Sequence, residues 1–113
     1  MNNKKIYTLE TRDEFKKFTK SYKTVIVKFT ASWCGPCKRI TPLVNDLFSK
    51  MPQNVYMLII DIDKAKDIAS YLKVRSVPML CNYISNEPMD SVVGTNEEKV
   101  INFFKKTAIH AVS

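Results

Sequence analysis

Cys34 and Cys37 lie three residues apart in Trp33-Cys34-Gly35-Pro36-Cys37. A thiolate that attacks a disulfide sulfur passes through a mixed disulfide, so a catalyst of this exchange needs one ionised cysteine and a second within reach. Residues three apart on a helix have Cβ atoms about 5 to 6 Å apart, whereas a disulfide needs roughly 3.5 to 4.5 Å. A small adjustment in a first helical turn therefore interconverts the closed and open pair. At a helix N-terminus the unpaired amides and the macrodipole favour negative charge on sulfur, which makes Cys34 the expected exposed nucleophile. Cys37, one turn inward and more covered, is the expected resolving thiol. Gly35 leaves room for a partner's backbone, Pro36 restricts the loop, and Trp33 offers a flat apolar lip.

A zinc site is the competing use of such a pair. It needs two more ligands, and only Cys81 and His110 remain, neither at a recognisable spacing. No metal is expected, and no bound cofactor beyond the redox-active disulfide Cys34–Cys37. Cys81 sits in an apolar run and reads as a small buried hydrophobe, while His110, near the C-terminus, reads as a solvated residue.

The flanking residues define the elements that must hold the pair. Thr11-Arg12-Asp13-Glu14 has the form of a capping box, followed by Phe15, Phe18 and Tyr22 at helical spacing. Thr24 to Phe29 is almost continuously apolar, as a strand covered on both faces requires. After the cysteines, Ile40, Leu43, Val44, Leu47 and Phe48 mark a second helix, which Pro42 should bend. Val55 to Ile60 predicts another strand, and Asp63 is placed to cap a helix carrying Ile68, Ala69 and Leu72. Together these segments form a βαβ unit. Met79–Ile84 and Ser91–Val93 predict an antiparallel hairpin through the turn formers Ser85 to Pro88. A last helix starts near Thr95 or Asn96, with Glu97 and Glu98 in its first turn and Val100, Ile101, Phe103 and Phe104 as its buried stripe. The expected fold class is α/β: a central mixed sheet with helices on both faces, in one domain spanning 1–113 with a core over about 5–109.

Composition agrees. The 113 residues are 45% hydrophobic and 26% charged, with two glycines and five prolines, which excludes collagen-like and disordered classes. The apolar run from Val55 to Ile60 falls far short of the roughly 20 residues of a membrane span, so no membrane association is expected. The opening residues are polar and carry no secretory-type apolar stretch, which predicts a reducing, cytoplasmic location where a close cysteine pair means redox chemistry or metal binding. The net charge of +7 arises in residues 1–50, where 11 Lys and Arg face 4 Asp and Glu. These lysines are scattered without aromatic interleaving, so they read as a solvated face and nucleic acid is not the expected partner.

Phe29 to Lys38 (FTASWCGPCK), Pro42, Val74 to Pro78 (VRSVP) and Val92 to Gly94 (VVG) together resemble the thioredoxin family over nearly the whole chain. A lowered pKa at the first cysteine is a known property of that family, which the helix-terminus argument illustrates. The resemblance implies the thioredoxin fold and a protein-disulfide reductase that acts on disulfide-containing proteins. Electrons would come from an NADPH-dependent flavoprotein, a thioredoxin reductase, or from another dithiol donor. It also implies a cis bond before Pro78 and a substrate groove of Trp33, Ser76, Val77, Pro78, Val93 and Gly94, where an extended peptide pairs with backbone.

Four positions depart from the family pattern. Lys28 stands where a buried Asp is usual, and Ile59 where its Lys partner is usual. Met79 replaces a threonine and Asn86 a hairpin glycine, the latter tolerable because asparagine accepts positive φ. Lys28 admits two arrangements: an amine turned inward near Cys37, a base when desolvation leaves it neutral and, when charged, a group that favours thiolate and a more oxidising potential, or a buried stem whose head snorkels to water. The competing functions are a redox-fold binding or assembly module and a disulfide oxidase or isomerase.

Overall fold

The computed structural model describes residues 5–113. Nine elements follow in order: β1 (Ile6–Thr8), α1 (Arg12–Ser21), β2 (Thr24–Thr30), α2 (Gly35–Ser49), β3 (Val55–Asp61), α3 (Lys66–Leu72), β4 (Met79–Ile84), β5 (Glu87–Val93) and α4 (Glu97–Ala111). The strands form one sheet in the order β1-β3-β2-β4-β5. β3 runs parallel to β1 and β2, whereas β4 runs antiparallel to β2 and β5. This is the thioredoxin fold in a single compact domain, and among the described residues no helix is long and apolar enough to cross a membrane.

β2 explains its own composition. Both its neighbours are strands and helices cover both its faces, so every residue from Thr24 to Phe29 is buried. Ile26 packs with Met57, Leu80, Val44, Val100 and Phe103 against α2 and α4. On the opposite face Val25, Val27 and Phe29 pack with Leu58, Ile60, Phe15 and Ile68 against α1 and α3. A two-sided core of this kind makes the C-terminal end of β2 a rigid platform, and the cysteine motif follows directly from it.

The helix ends are fixed by side chains. Thr11 Oγ1 accepts the Glu14 amide at 3.2 Å and Glu14 Oε1 accepts the Thr11 amide at 3.1 Å, completing the predicted capping box. Asn96 Oδ1 accepts the Lys99 amide at 3.0 Å at the start of α4. α2 continues through Pro42 to Ser49.

Four expectations need correction. The strand β1 was not foreseen, because only Ile6 of its three residues is even half-buried and no alternation shows. Asp63 does not cap α3: the helix begins at Lys66 after Ala65, with no side-chain cap, and Asp63 instead receives the Trp33 indole N–H at 2.8 Å. β5 starts at Glu87 rather than Ser91, leaving a two-residue turn in which Ser85 (φ 52°) and Asn86 (φ 71°) both have positive φ. Pro88 is accepted there because β5 is an edge strand. Finally, His110 is half-buried in α4 with Nε2 3.5 Å from Asp90 Oδ2, not a solvated residue at a frayed end. Asn82 ties the same region together, donating to Thr107 Oγ1 at 2.8 Å and accepting the Asp90 amide at 2.8 Å.

Candidate active site

The turn after β2 carries the chain into α2 and sets Cys34 at the N-cap, with Pro36 in the first turn where its missing N–H costs nothing. Cys34 and Cys37 form a disulfide with their Cα atoms 5.3 Å apart. The Cys37 amide donates to Cys34 Sγ at 3.1 Å, so an otherwise unpaired first-turn N–H is aimed at this sulfur. Negative charge on Cys34 in the open pair is favoured by the same amide.

Both cysteines are covered, Cys34 to 2% exposure and Cys37 to 1%. The expected contrast between an exposed and a covered thiol is therefore absent in the closed pair. The cause is packing by Ile62, just past β3, and Val77, which cover a small cluster of Ala31, Cys34 and Cys37. Trp33, by contrast, is 66% exposed, its ring held by the hydrogen bond to Asp63.

A second loop meets the first. The Val77–Pro78 bond is cis, Pro78 is buried, and Val77 touches the cysteine cluster. The Gly94 amide donates to the Pro78 carbonyl at 2.9 Å, which fixes the end of β5 beside the proline; Gly94 has φ +99°. Ser76 and Val93 are exposed on this rim. A Cβ built on Gly35 meets only the Arg39 guanidinium at 3.9 Å, so the space beside Gly35 itself is open. Of the expected groove residues, Val77 packs on the cysteine cluster, and Gly94 is tied to Pro78, the neighbour of Val77 in the chain. Among the described residues no group of three or more His, Cys, Asp or Glu is placed to hold a metal ion.

Comparison with known proteins decides what this arrangement is. The thioredoxin family profile matches residues 6–106. The chain belongs to the thioredoxin family. It is 35% identical over 102 residues to an H-type thioredoxin of Fagopyrum esculentum, covering 90% of this chain and 84% of that one. It is 39% identical over 84 residues to a thioredoxin of Ophiophagus hannah, covering 74% and 79%. Among solved structures, the thioredoxin of Malassezia sympodialis superposes with a TM-score of 0.82 at 27% identity, covering 96% of this chain and 97% of that chain. Mitochondrial thioredoxin 3 of Saccharomyces cerevisiae, in its oxidised form, gives a TM-score of 0.82 at 27% identity, covering 89% and 94%.

Thioredoxins are thiol–disulfide oxidoreductases, and this chain is a thioredoxin-like disulfide reductase. Its redox group is part of the polypeptide. Thioredoxins act on disulfide substrates and are recharged by a reductase.

Lys28 reaches toward the site from β2 through Thr41. It is 4% exposed on β2, flanked by Ile59 on β3 and Leu80 on β4. Its Nζ donates to Thr41 Oγ1 at 2.7 Å, and Thr41 donates in turn to the Cys37 carbonyl at 2.7 Å. The head group ends on α2, one turn below Cys37, rather than in water. Burial lowers its pKa from the usual lysine value. Cys81, also buried, has its pKa pushed up to about 12 by desolvation, which keeps the third thiol protonated and unreactive.

Three residues of the site escaped the sequence reading. Ile62 and Asp63 are ordinary in type and reach the motif only through the β3–α3 connection. Thr41 falls on the α2 face that meets β2, a relation visible in its spacing from Cys37 but not in its chemistry.

Proposed function

We propose that Cys34 is the nucleophile and Cys37 the resolving thiol of a two-electron relay run by one domain spanning 1–113. The Cys34 thiolate attacks one sulfur of a client disulfide, forming a Cys34–client bond and releasing the first client thiolate, which takes a proton. Cys37 loses its proton and attacks Cys34 Sγ, closing the Cys34–Cys37 disulfide and releasing the second client thiol. The client gains two electrons and two protons; the protein supplies both electrons and the Cys37 proton, and solvent supplies the other proton, the one Cys34 gave up on ionising. The single observation that carries this reading is the Cys37 amide aimed at Cys34 Sγ, which marks Cys34 as the sulfur best able to hold charge.

The groove of Trp33, Ser76, Val77, Pro78, Val93 and Gly94 is the surface we assign to the client, whose extended backbone pairs beside the proline. We further assign recharging to an NADPH-dependent flavoprotein reductase or another dithiol donor in a reducing, cytoplasm-type compartment. Mixed-disulfide turnover needs that electron supply.

Lys28 acts in this reading as a fixed charge. Its hydrogen-bond route ends on the Cys37 carbonyl and not on sulfur, so it supplies no proton path to the thiol. An ammonium under this turn stabilises thiolate in the open pair and has nothing comparable to stabilise in the closed one, which makes the protein more oxidising. Equilibration with glutathione is the test. Reducing couples of thioredoxin type lie near about −270 mV and strong oxidants near about −120 mV. The wild type is expected close to the reducing value, and Lys28→Met about 20 mV more negative, equivalent to about 1 kcal/mol at 30 mV per 1.4 kcal/mol. The difference should shrink as pH rises through the lowered Lys28 pKa, where the charge is lost. A wild-type potential at the oxidant end overturns the reductase assignment, and an unchanged or less negative value in Lys28→Met overturns the role of the lysine.

A further inference from the structure

We propose that a basic pocket beside the redox site receives acidic side chains of the client polypeptide. A cavity of about 300 Å³ opens between α3 and the loop that leads to Pro78. Lys66, Lys73 and Arg75 line it, with the Ser70 hydroxyl, over an apolar floor that includes Ile62 and Val74. All three cations and Ser70 are exposed. Among the described residues none of the three cations has a carboxylate within 4.0 Å.

The acids nearby in sequence are already engaged. Asp61 Oδ1 accepts the amides of Asp63 and Lys64 at 2.9 and 3.2 Å, Asp63 Oδ2 the Trp33 indole at 2.8 Å, and Asp67 Oδ2 the Arg12 amide at 2.6 Å. These bonds hold the three carboxylates on neutral N–H donors, and none of them lines the pocket, whose own lining carries three cations and no acid.

Its position selects the source of the anion. Ile62 belongs both to the pocket floor and to the residues packed on Cys34 and Cys37. Arg75 precedes Ser76, the first groove residue, in the chain. A free anion would gain nothing from this proximity, whereas a carboxylate carried on the same strand as the client's cysteine would be placed by it. Charge complementarity then adds to backbone pairing, raising capture of acidic clients more than it changes the chemistry. This inference rests on the groove reading above.

Lys73 also provides a clean variant. It closes α3 in the left-handed region (φ 58°, ψ 40°), where glycine is the usual residue, so Lys73→Gly removes the charge without disturbing the helix end.

The test uses the reduced full-length protein and two disulfide-linked peptides that differ only in having aspartate or asparagine around the cysteine. At 0.01 M ionic strength, where the screening length is about 30 Å, the aspartate peptide should be reduced roughly tenfold faster. Lys66→Gln/Lys73→Gly/Arg75→Gln should cut that ratio to about twofold, and so should 1 M salt, where the screening length is about 3 Å. A charge-matched variant on α4, Lys99→Gln/Lys105→Gln/Lys106→Gln, should keep most of the preference. No preference in the wild type, or an equal loss in both variants, overturns the pocket. The groove is judged separately on the asparagine peptide: a rate untouched by Val93→Asp contradicts the groove reading and leaves the pocket to stand or fall on the ratio.

Discussion

Cys34→Ser is expected to abolish reduction of protein disulfides, lowering the rate by about 10³-fold or more, because a serine hydroxyl is un-ionised near neutral pH and cannot form the mixed disulfide. No other thiol can substitute. The first-turn amide is aimed at Cys34 Sγ and not at Cys37, and burial holds Cys81 protonated with a pKa of about 12. The measurement is insulin reduction by dithiothreitol with and without the protein. The variant should give the uncatalysed rate while keeping the wild-type circular dichroism spectrum, since serine is close to cysteine in size and neither active-site cysteine is a member of the two main core clusters. Retained acceleration would mean that the activity does not pass through Cys34. The same experiment separates a binding or assembly module, whose partner affinity would survive the substitution.

Phe29→Ala is expected to produce the largest loss of stability. Phe29 is fully buried on β2, packed with Val25, Val27, Leu58 and Ile60 on the α1/α3 face. Truncating a buried phenylalanine costs about 3 to 5 kcal/mol, against about 5 to 15 kcal/mol for a whole domain. At roughly 4 °C or more per kcal/mol the thermal midpoint should fall by at least about 12 °C. Ala31, two residues on, packs against both cysteines, so activity should vanish with the fold and return on cooling. A loss under about 1 kcal/mol by urea titration would show that β2 is not the platform described.

Much of this fold was legible because its signals are local. The continuous apolar run of β2, the capping box of α1 and the helical spacing after Cys37 each fix an element within a few residues. The cysteine pair was legible for the same reason. What escaped depends on partners distant in sequence. β1 exists through pairing with β3 rather than through its own three residues. Asp63 has the chemistry of a cap, and only the position of Trp33, 30 residues away, redirects it. The coverage of Cys34 comes from Ile62 and Val77, which reach it from two other loops. Two arrangements were open for Lys28, and the hydroxyl of Thr41, which ends the lysine's reach, lies 13 residues on. The cations at 66, 73 and 75 are dispersed along the sequence, and only the fold gathers them around a cavity.

The relay itself is tested most directly by trapping its intermediate. Cys37→Ser, reduced and mixed with a client carrying one disulfide, should accumulate one covalent client per chain, joined through Cys34 as located by mass spectrometry and released by excess dithiothreitol. No adduct, or an adduct through Cys81, would contradict the assignment of Cys34 as the attacking sulfur and Cys37 as the one that resolves.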